Sequence, residues 1–347
     1  MADLPVSVTY LDFERPLAAL DARVAALKSG GARGPAVTRE LRQLAAARRR
    51  LEREVYDSLS AWERVQLARH VDRPQTLDYV GRLCREFFEL RGDRAFADDP
   101  AIVAGIGTCH GHPLAVVGHQ RGHGTTERVH RNFGMASPEG YRKAIRVFRL
   151  AERLGMPVLT LVDTQGAYPG VGAEERGQAE AIAHTMRTMT ELRVPIVSVV
   201  IGEGGSGGAL ALAVADRVLM MQYACYSVIS PEGCAAILYR DRAPEHVARA
   251  AEALKLTAAD LLRAGAVDAL VAEPAGGAHR NPRRALESVE HAVLYALGAL
   301  RRLSPLVLRR RRYEKFRRLG AHVETRAAAP RARAPRRRTI AKPKAVR

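Results

Sequence analysis

Two uncharged runs rich in β-branched residues, 157–162 and 197–201, each break into a glycine-bearing turn and then into helical spacing. Runs of this kind predict buried strands, and the spacing behind them predicts helices packed closely below the turns. In the first unit the turn covers 164–175 and the helix 176–189, with Glu174 and Glu175 suited to the positive end of that helix. In the second, glycines at 202, 204, 205, 207 and 208 lead into a helix from Ala209 to Val214. Met156-Pro and Val194-Pro open the two units alike, so the chain carries two strand, turn and helix units in tandem.

Around these units the period is near 3.6 in several stretches. Residues 14–29 and 37–57 predict an antiparallel helical hairpin across Ser29-Gly-Gly-Ala-Arg-Gly-Pro35, with Leu17, Leu20, Val24 and Leu27 apolar in one arm and Leu41, Leu44, Leu51 and Val55 in the other. Such a hairpin cannot bury both of its own sides, so it needs a partner surface on this chain or another. A helix from Thr76 to Leu90, short strands at 102–107 and 114–118 around Cys109-His-Gly-His112, and a helix to Leu154 capped by Ser137 with Pro138 at its first position complete the first half. Strands at 217–221 and 226–229, a helix opened by Ser230-Pro-Glu-Gly233, a helix at 243–262, a strand at 266–271 and a helix at 282–300 complete the second. The alternation from 101 to 300 predicts an α/β body. The expected division is a helical region at 1–95, the body at 96–300, a basic helical extension at 301–320 and a disordered polybasic tail at 321–347.

Composition adds location. The net charge is +18, but residues 301–347 hold 15 Arg and 3 Lys against Glu314 and Glu324, which leaves the first 300 residues nearly neutral. No apolar run is long enough to span a membrane, and the start has no basic stretch leading into an apolar one, so the expected location is the cytoplasm. Cys84, Cys109, Cys225 and Cys234 form no C-x-x-C pair, which argues for free thiols and against a zinc site.

The glycine turns carry the candidate chemistry. N–H groups in the first turn of a helix lack internal partners, and bare glycine backbone lets an anionic atom approach them. Gly202, Gly204 and Gly207 satisfy G-x-G-x-x-G, but Gln222 and Tyr223 stand where a dinucleotide fingerprint needs an acid. A triphosphate loop is excluded because no Lys follows the glycines. The plain alternative is that the glycines only allow close packing. The segment 119–135 is polar and cationic, and Arg121, Arg128 and Arg131 read either as phosphate holders or as part of a solvated loop. His119 and Tyr168 are candidates for proton transfer, each also readable as structural.

At His119-Gln120, Arg131-Asn-Phe-Gly-Met135, Pro138-Glu-Gly-Tyr-Arg-Lys143, Gly166-Ala-Tyr-Pro-Gly-Val-Gly-Ala-Glu-Glu-Arg-Gly177, Gly202-Glu-Gly-Gly-Ser-Gly-Gly-Ala-Leu210, Tyr226-Ser-Val-Ile-Ser-Pro-Glu-Gly-Cys234 and Gly276-Gly-Ala-His-Arg280, the sequence resembles the alpha subunit of the bacterial acetyl-CoA carboxylase carboxyltransferase. The resemblance runs from Leu11 to about Gly320. It implies a crotonase-like (ClpP/crotonase) α/β fold of repeated ββα units, here behind an N-terminal helical hairpin, and an α2β2 assembly with a zinc-containing beta subunit. It further implies transfer of the carboxyl group of carboxybiotin, held on a biotin carboxyl carrier protein, to acetyl-CoA, giving malonyl-CoA for fatty acid synthesis. ATP would be used by a partner biotin carboxylase, and this chain would hold no metal. The backbone N–H groups of Gly207 and Gly208 would form an oxyanion hole on the biotin side, with the beta subunit supplying the matching hole for the acyl group. Gly204, Gly205, Gly166, Ala167, Tyr168, His119, Arg121, Arg128 and Arg131 are the expected substrate-binding residues. The sequence departs from the family pattern at Gln165, where the family turn has Pro, and at Arg121-Gly-His123, where it has Lys-Gly-Arg.

Two other readings compete. A hydratase, or a biotin-dependent decarboxylase subunit, would use the same turns; a hydratase needs two carboxylates near them, for which Glu174 and Glu175 are the candidates. A nucleic-acid-binding protein is suggested by the tail alone, which has the charge for phosphate contacts but no aromatic residue after Phe316 for stacking.

Overall fold

The structure is a computed structural model that describes residues 9–31 and 34–320, so the expected polybasic tail lies outside the described residues. Eight strands form one mixed sheet: β1 (Arg85–Glu89), β2 (Ile102–Cys109), β3 (His112–His119), β4 (Val158–Thr164), β5 (Ile196–Gly205), β6 (Arg217–Met221), β7 (Cys225–Ser227) and β8 (Ala269–Val271). Their order is β1-β2-β3-β4-β5-β6-β8. β1, β2 and β3 pair antiparallel as a meander, and every later pairing is parallel. β5 is shared: Val197 to Val200 pair with β6, whereas Glu203 to Gly205 pair with β7. Helices Pro138–Arg153, Gln178–Glu191 and Pro282–Leu300 pack against the sheet and complete a single large core. β4 and β5 are buried along their whole length, as two-sided coverage of a parallel sheet requires. No helix among the described residues is long and apolar enough to cross a membrane.

Several predicted elements need correction. The helix expected to reach Leu90 ends at Leu83, because Cys84 turns extended and 85–89 joins the sheet as β1. Gly105 and Gly107 on β2 permit that pairing, since a Cβ on Gly105 would lie 2.4 Å from the Phe88 carbonyl oxygen. The helix expected at 243–262 is two, Pro244–Leu254 and Ala258–Arg263, broken where Lys255 takes a left-handed φ of +50° and Thr257 caps the second by accepting from the Asp260 N–H. The segment 119–135 contains a short helix, Gly124–His130. A further helix, Ala61–Ala68, starts from a Ser60/Glu63 capping box that the sequence reading passed over.

The N-terminal hairpin, helices Arg15–Ser29 and Pro35–Asp57, finds its partner surface on this chain. Fully buried Glu14 accepts from Tyr56 Oη (2.5 Å), Arg280 Nη2 (2.9 Å) and the Leu11 N–H (2.8 Å). Burial pushes its carboxyl up, but hydrogen bonds from His279, Leu11, Tyr56 and Arg280 outweigh that and hold it down at about 2. His70 stacks on His279 with ring centroids 4.0 Å apart, and burial, helped by His279, pulls the His70 pKa down to about 4. At the other end, helix Pro305–Arg318 docks through Arg312, whose guanidinium donates to Asp216 (2.7 and 2.9 Å) and to the carbonyls of Met189, Leu192 and Val194. Those carbonyls lie at and beyond the end of helix Gln178–Glu191, so a buried cation neutralises both a carboxylate and a helix C-terminus.

Arg312→Met is expected to cost about 3–5 kcal/mol in urea unfolding, because it leaves Asp216 buried and unpaired; Lys should not restore it, since one ammonium lacks the fork that spans five contacts. Stability should also fall with pH from about 6.5 through 4, because unfolded His70 takes up a proton that the folded site refuses. Glu14, already ionised across that range, should add its own loss only below about 4.5. Thermal scans across pH should show His70→Gln flattening part of the first decline and leaving the second.

Candidate active site

The two glycine turns meet at the C-terminal ends of β4 and β5, where binding sites of parallel sheets form. Pairing passes from Val162 with Val200 to Thr164 with Gly204, so β5 carries two extra residues that extend its glycines past the end of β4. Thr164 Oγ1 ties the first turn, donating to the Gly166 carbonyl (2.7 Å) and accepting from the Gly166 N–H (3.1 Å). Gln178 Nε2 straps it from behind, donating to the carbonyls of Ala136 (2.8 Å) and Tyr168 (2.9 Å).

In the second turn the left-handed residue is Ser206, with φ +52°, and helix Ser206–Leu210 starts there. Gly207 and Gly208 take helical backbone, so what they need is space and not a glycine-only angle. A Cβ on Gly205 would sit 2.1 Å from the Gln165 carbonyl oxygen, and one on Gly208 would sit 2.6 Å from the Ala167 nitrogen and 3.0 Å from Tyr141 Oη. The turns therefore touch backbone to backbone, and this contact holds the strained Ser206 in place. Gly207 differs, for the nearest atoms to an added Cβ are 3.8 Å away on Ile182. It opens on a cleft of about 390 Å³ whose walls include Leu210, Tyr226, Val228, Phe316 and Leu319.

Beneath the turns runs an ionic chain. Arg69 donates to Glu203 and Glu232, each at 2.6 Å; Arg121 reaches Asp163 (3.4 Å) and Glu203 (3.5 Å); the Glu203 N–H donates to Asp163 Oδ1 at 3.0 Å. Burial pushes the Asp163 carboxyl up, with Arg121 opposing. The chain fixes the ends of β4 and β5 relative to each other.

Of the expected site residues, Gly166, Ala167, Gly204, Gly205, Gly207 and Gly208 come together, and exposed Tyr168 lies on the same turn. His119 is fully buried behind them and is in no position to touch a substrate. Arg121, Arg128 and Arg131 already donate to protein acceptors: Arg121 to Asp163 and Glu203, Arg128 to the Gly122 carbonyl (3.3 Å), and Arg131 to Glu127 (2.7 Å) and the Pro100 carbonyl (2.9 Å). Gln165 Nε2 meets Met135 Sδ at 3.0 Å, and His123 pairs with Asp78 at 3.0 Å. Glu174 and Glu175 are exposed. Ser206 was missed, although Gly204-Gly-Ser-Gly-Gly208 fits G-x-S-x-G and would have pointed to a strained elbow between strand and helix.

Two other features lie apart from the turns. A cleft of about 740 Å³ is lined by Arg142, Arg146, Arg149 and His184, but these donate to Asp93, Glu139, backbone carbonyls and each other. Ligand atoms of Glu14, His70 and His279 lie within 4.8 Å of one another, yet Arg280 already supplies the positive charge there, and a cation would have to displace it.

Comparison with known proteins agrees with this geometry. Residues 10–320 match the family model described as acetyl co-enzyme A carboxylase carboxyltransferase-like. The chain is 55% identical over 315 residues to the acetyl-coenzyme A carboxylase carboxyl transferase subunit alpha of a strain of Thermus thermophilus, covering 90% of this chain and 99% of that one. It is 52% identical to the protein of the same name from Xanthomonas campestris pv. campestris, covering 90% and 98%. Among solved structures it resembles transcarboxylase 12S with methylmalonyl-coenzyme A and methylmalonic acid bound (TM-score 0.54, 19% identity, 68% of this chain) and the beta subunit of P. aeruginosa geranyl-CoA carboxylase (TM-score 0.52, 18% identity, 72%). The chain spans less than half the length of those two, at 44% and 46%, and at such identity the likeness establishes the crotonase-like fold. The chain belongs to the family of acetyl-CoA carboxylase carboxyltransferase alpha subunits.

Proposed function

We propose that this chain is the alpha half of a biotin-dependent carboxyltransferase in the cytoplasm, acting on acetyl-CoA to give malonyl-CoA, with the Gly207 and Gly208 backbone serving the biotin side. The observation that carries the assignment of sides is the contrast between neighbours: Gly208 is wedged against the first turn, while Gly207 opens on an apolar cleft. That cleft fits a small fused ring with one polar edge, apolar walls taking the body and backbone N–H groups the edge. Carboxybiotin, when bound, would supply the carboxyl group. The N–H groups of Gly207 and Gly208 would hold its ureido oxygen as preorganised donors, each typically worth about 10² to 10³ in rate. Half-buried Tyr226 and Phe316 among the cleft walls lower the local dielectric, which strengthens the interaction. The ionic chain from Arg69 to Asp163 keeps the two turns in register without entering the cleft.

A zinc-containing beta subunit would supply the second hole, for the thioester oxygen of acetyl-CoA, in an α2β2 assembly, and a biotin carboxyl carrier protein would deliver the carboxyl group loaded by a biotin carboxylase. Exposed Tyr168, Val171, Leu210 and Val228 flank the turns and suit a subunit interface.

The purified chain should then show no carboxyltransferase activity until mixed with a beta subunit. Malonyl-CoA-dependent carboxylation of free biotin by this chain alone would overturn the half-site reading. Gly207→Ala should fold with an unchanged melting temperature, since its methyl group meets only Ile182 at van der Waals distance, yet lower the turnover of the reconstituted enzyme by about ten-fold by crowding the bare backbone that the donors need. Gly208→Val should lower turnover by about two orders of magnitude or more and also destabilise the chain, because it forces the turns apart. If Gly207→Ala instead weakened acetyl-CoA binding and spared the biotin side, the assignment of sides would be reversed.

A further inference from the structure

The cleft beside Gly207 is built from parts far apart in the chain. Leu210 comes from the short helix of the second turn, Tyr226 from β7, and Leu254 and Leu261 from helices Pro244–Leu254 and Ala258–Arg263. Further wall comes from the last described helix, Pro305–Arg318, as Phe316, and from Leu319 just after it. That helix is moored just short of the cleft. Arg312 Nη2 donates to Asp216 Oδ2 at 2.7 Å, and Lys315 Nζ donates to Asp268 Oδ2 (2.5 Å) and to the Ala215 carbonyl (3.3 Å). Both carboxylates are in turn fixed to the sheet: Asp216 accepts from the Ile196 N–H at 2.8 Å and Asp268 from the Val218 N–H at 2.6 Å. Ile196 is the first residue of β5, the strand that ends in the second turn, and Val218 lies in β6.

Covering the core does not account for the end of this helix. Leu308, two turns earlier, does that and is 2% exposed. Phe316 stays half-buried and Leu319 is 40% exposed, although close packing would draw large apolar side chains onto the core if that were their task. Both instead line a cleft of about 390 Å³ that they share with Gly207. Resting on the carboxyltransfer reading above, we propose that the C-terminal helix belongs to the biotin-side site: Phe316 seats the fused ring of biotin, and Lys315 is a positioning residue that holds Phe316 in place. The apolar seat takes the body of the ring and the glycine backbone takes its polar edge, which fixes the orientation of the ring as well as its position. Because the mooring runs through Asp216 to the start of β5, the spacing between Phe316 and Gly207 is set through a strand that is buried along its whole length.

The test uses the reconstituted alpha and beta enzyme with free biotin as the probe, in malonyl-CoA-dependent carboxylation of biotin and in an NMR binding titration. Phe316→Ala should raise both the KM and the Kd for biotin about ten-fold or more and leave the KM for malonyl-CoA within roughly two-fold, and Phe316→Leu should recover most of the loss. Lys315→Met should show the same split, and Lys315→Arg should restore it. Leu319→Ala, at an exposed position, should give the same split at about three-fold, which keeps the idea testable if Phe316→Ala does not fold. A helix that served packing alone would lower the melting temperature and impair both substrates together. If Phe316→Ala and Leu319→Ala both keep the KM and Kd for biotin within the parent's error, the proposal is wrong. If the unmutated assembly binds biotin but transfers no carboxyl group, the functional reading fails separately and the biotin Kd still decides the place of Phe316. Should the unmutated assembly not bind biotin at all, the assignment of sides and this proposal fall together.

Discussion

The contact between the two turns governs this molecule. Gly205 lies so close to the Gln165 carbonyl, and Gly208 to the Ala167 nitrogen, that no larger side chain fits at either position. The rest of the region serves that approach. The extra residues on β5 bring the second turn forward, Thr164 and Gln178 fix the first, and the Asp163, Glu203, Arg121 and Arg69 chain prevents the strand ends from sliding. Ser206 keeps its unfavourable backbone angle because the alternatives would open the contact.

The charged groups follow one rule throughout. Arg312, Arg73, Glu14 and Asp163 are all buried, and each is met by an opposite charge or several hydrogen bonds. Arg73 also donates to the Ile201 carbonyl at 2.7 Å, which ties the α/β body to the helical region just where β5 leaves its core half. By removing such charges from water only when they join distant segments, the chain uses ionic pairs to specify its tertiary arrangement and leaves the hydrophobic sheet to supply the bulk of the stability.

Much of this was legible in the sequence. The apolar runs of β4 and β5 and the glycine turns after them mark the site directly, because burial on both faces and close backbone approach leave few residue choices. The reading failed where long-range pairing overrides local pattern. Cys84 to Glu89 continue a helical spacing, yet the glycines of β2, about twenty residues on, draw that segment into the sheet. For Arg121 and Arg131 the sequence leaves phosphate holding and a solvated loop both open, because their carboxylate and carbonyl partners are set by the fold. His119 stands among the substrate-binding residues that the resemblance implies, with a structural role also open, and its place at the end of β3 puts it inside. Ser206 hid among five glycines that already account for a turn.

The shared strand β5 has a mechanical consequence. Its first half is bolted into the core beside β6, but its last three residues are joined to β7, which leads through Ser230 into helix Pro231–Leu238. That helix carries exposed Ile237 and Leu238 on the outer surface. The strand that carries the glycine backbone is therefore anchored at two separate places, in the core beside β6 and, through β7 and Ser230, on a helix whose apolar end faces outward.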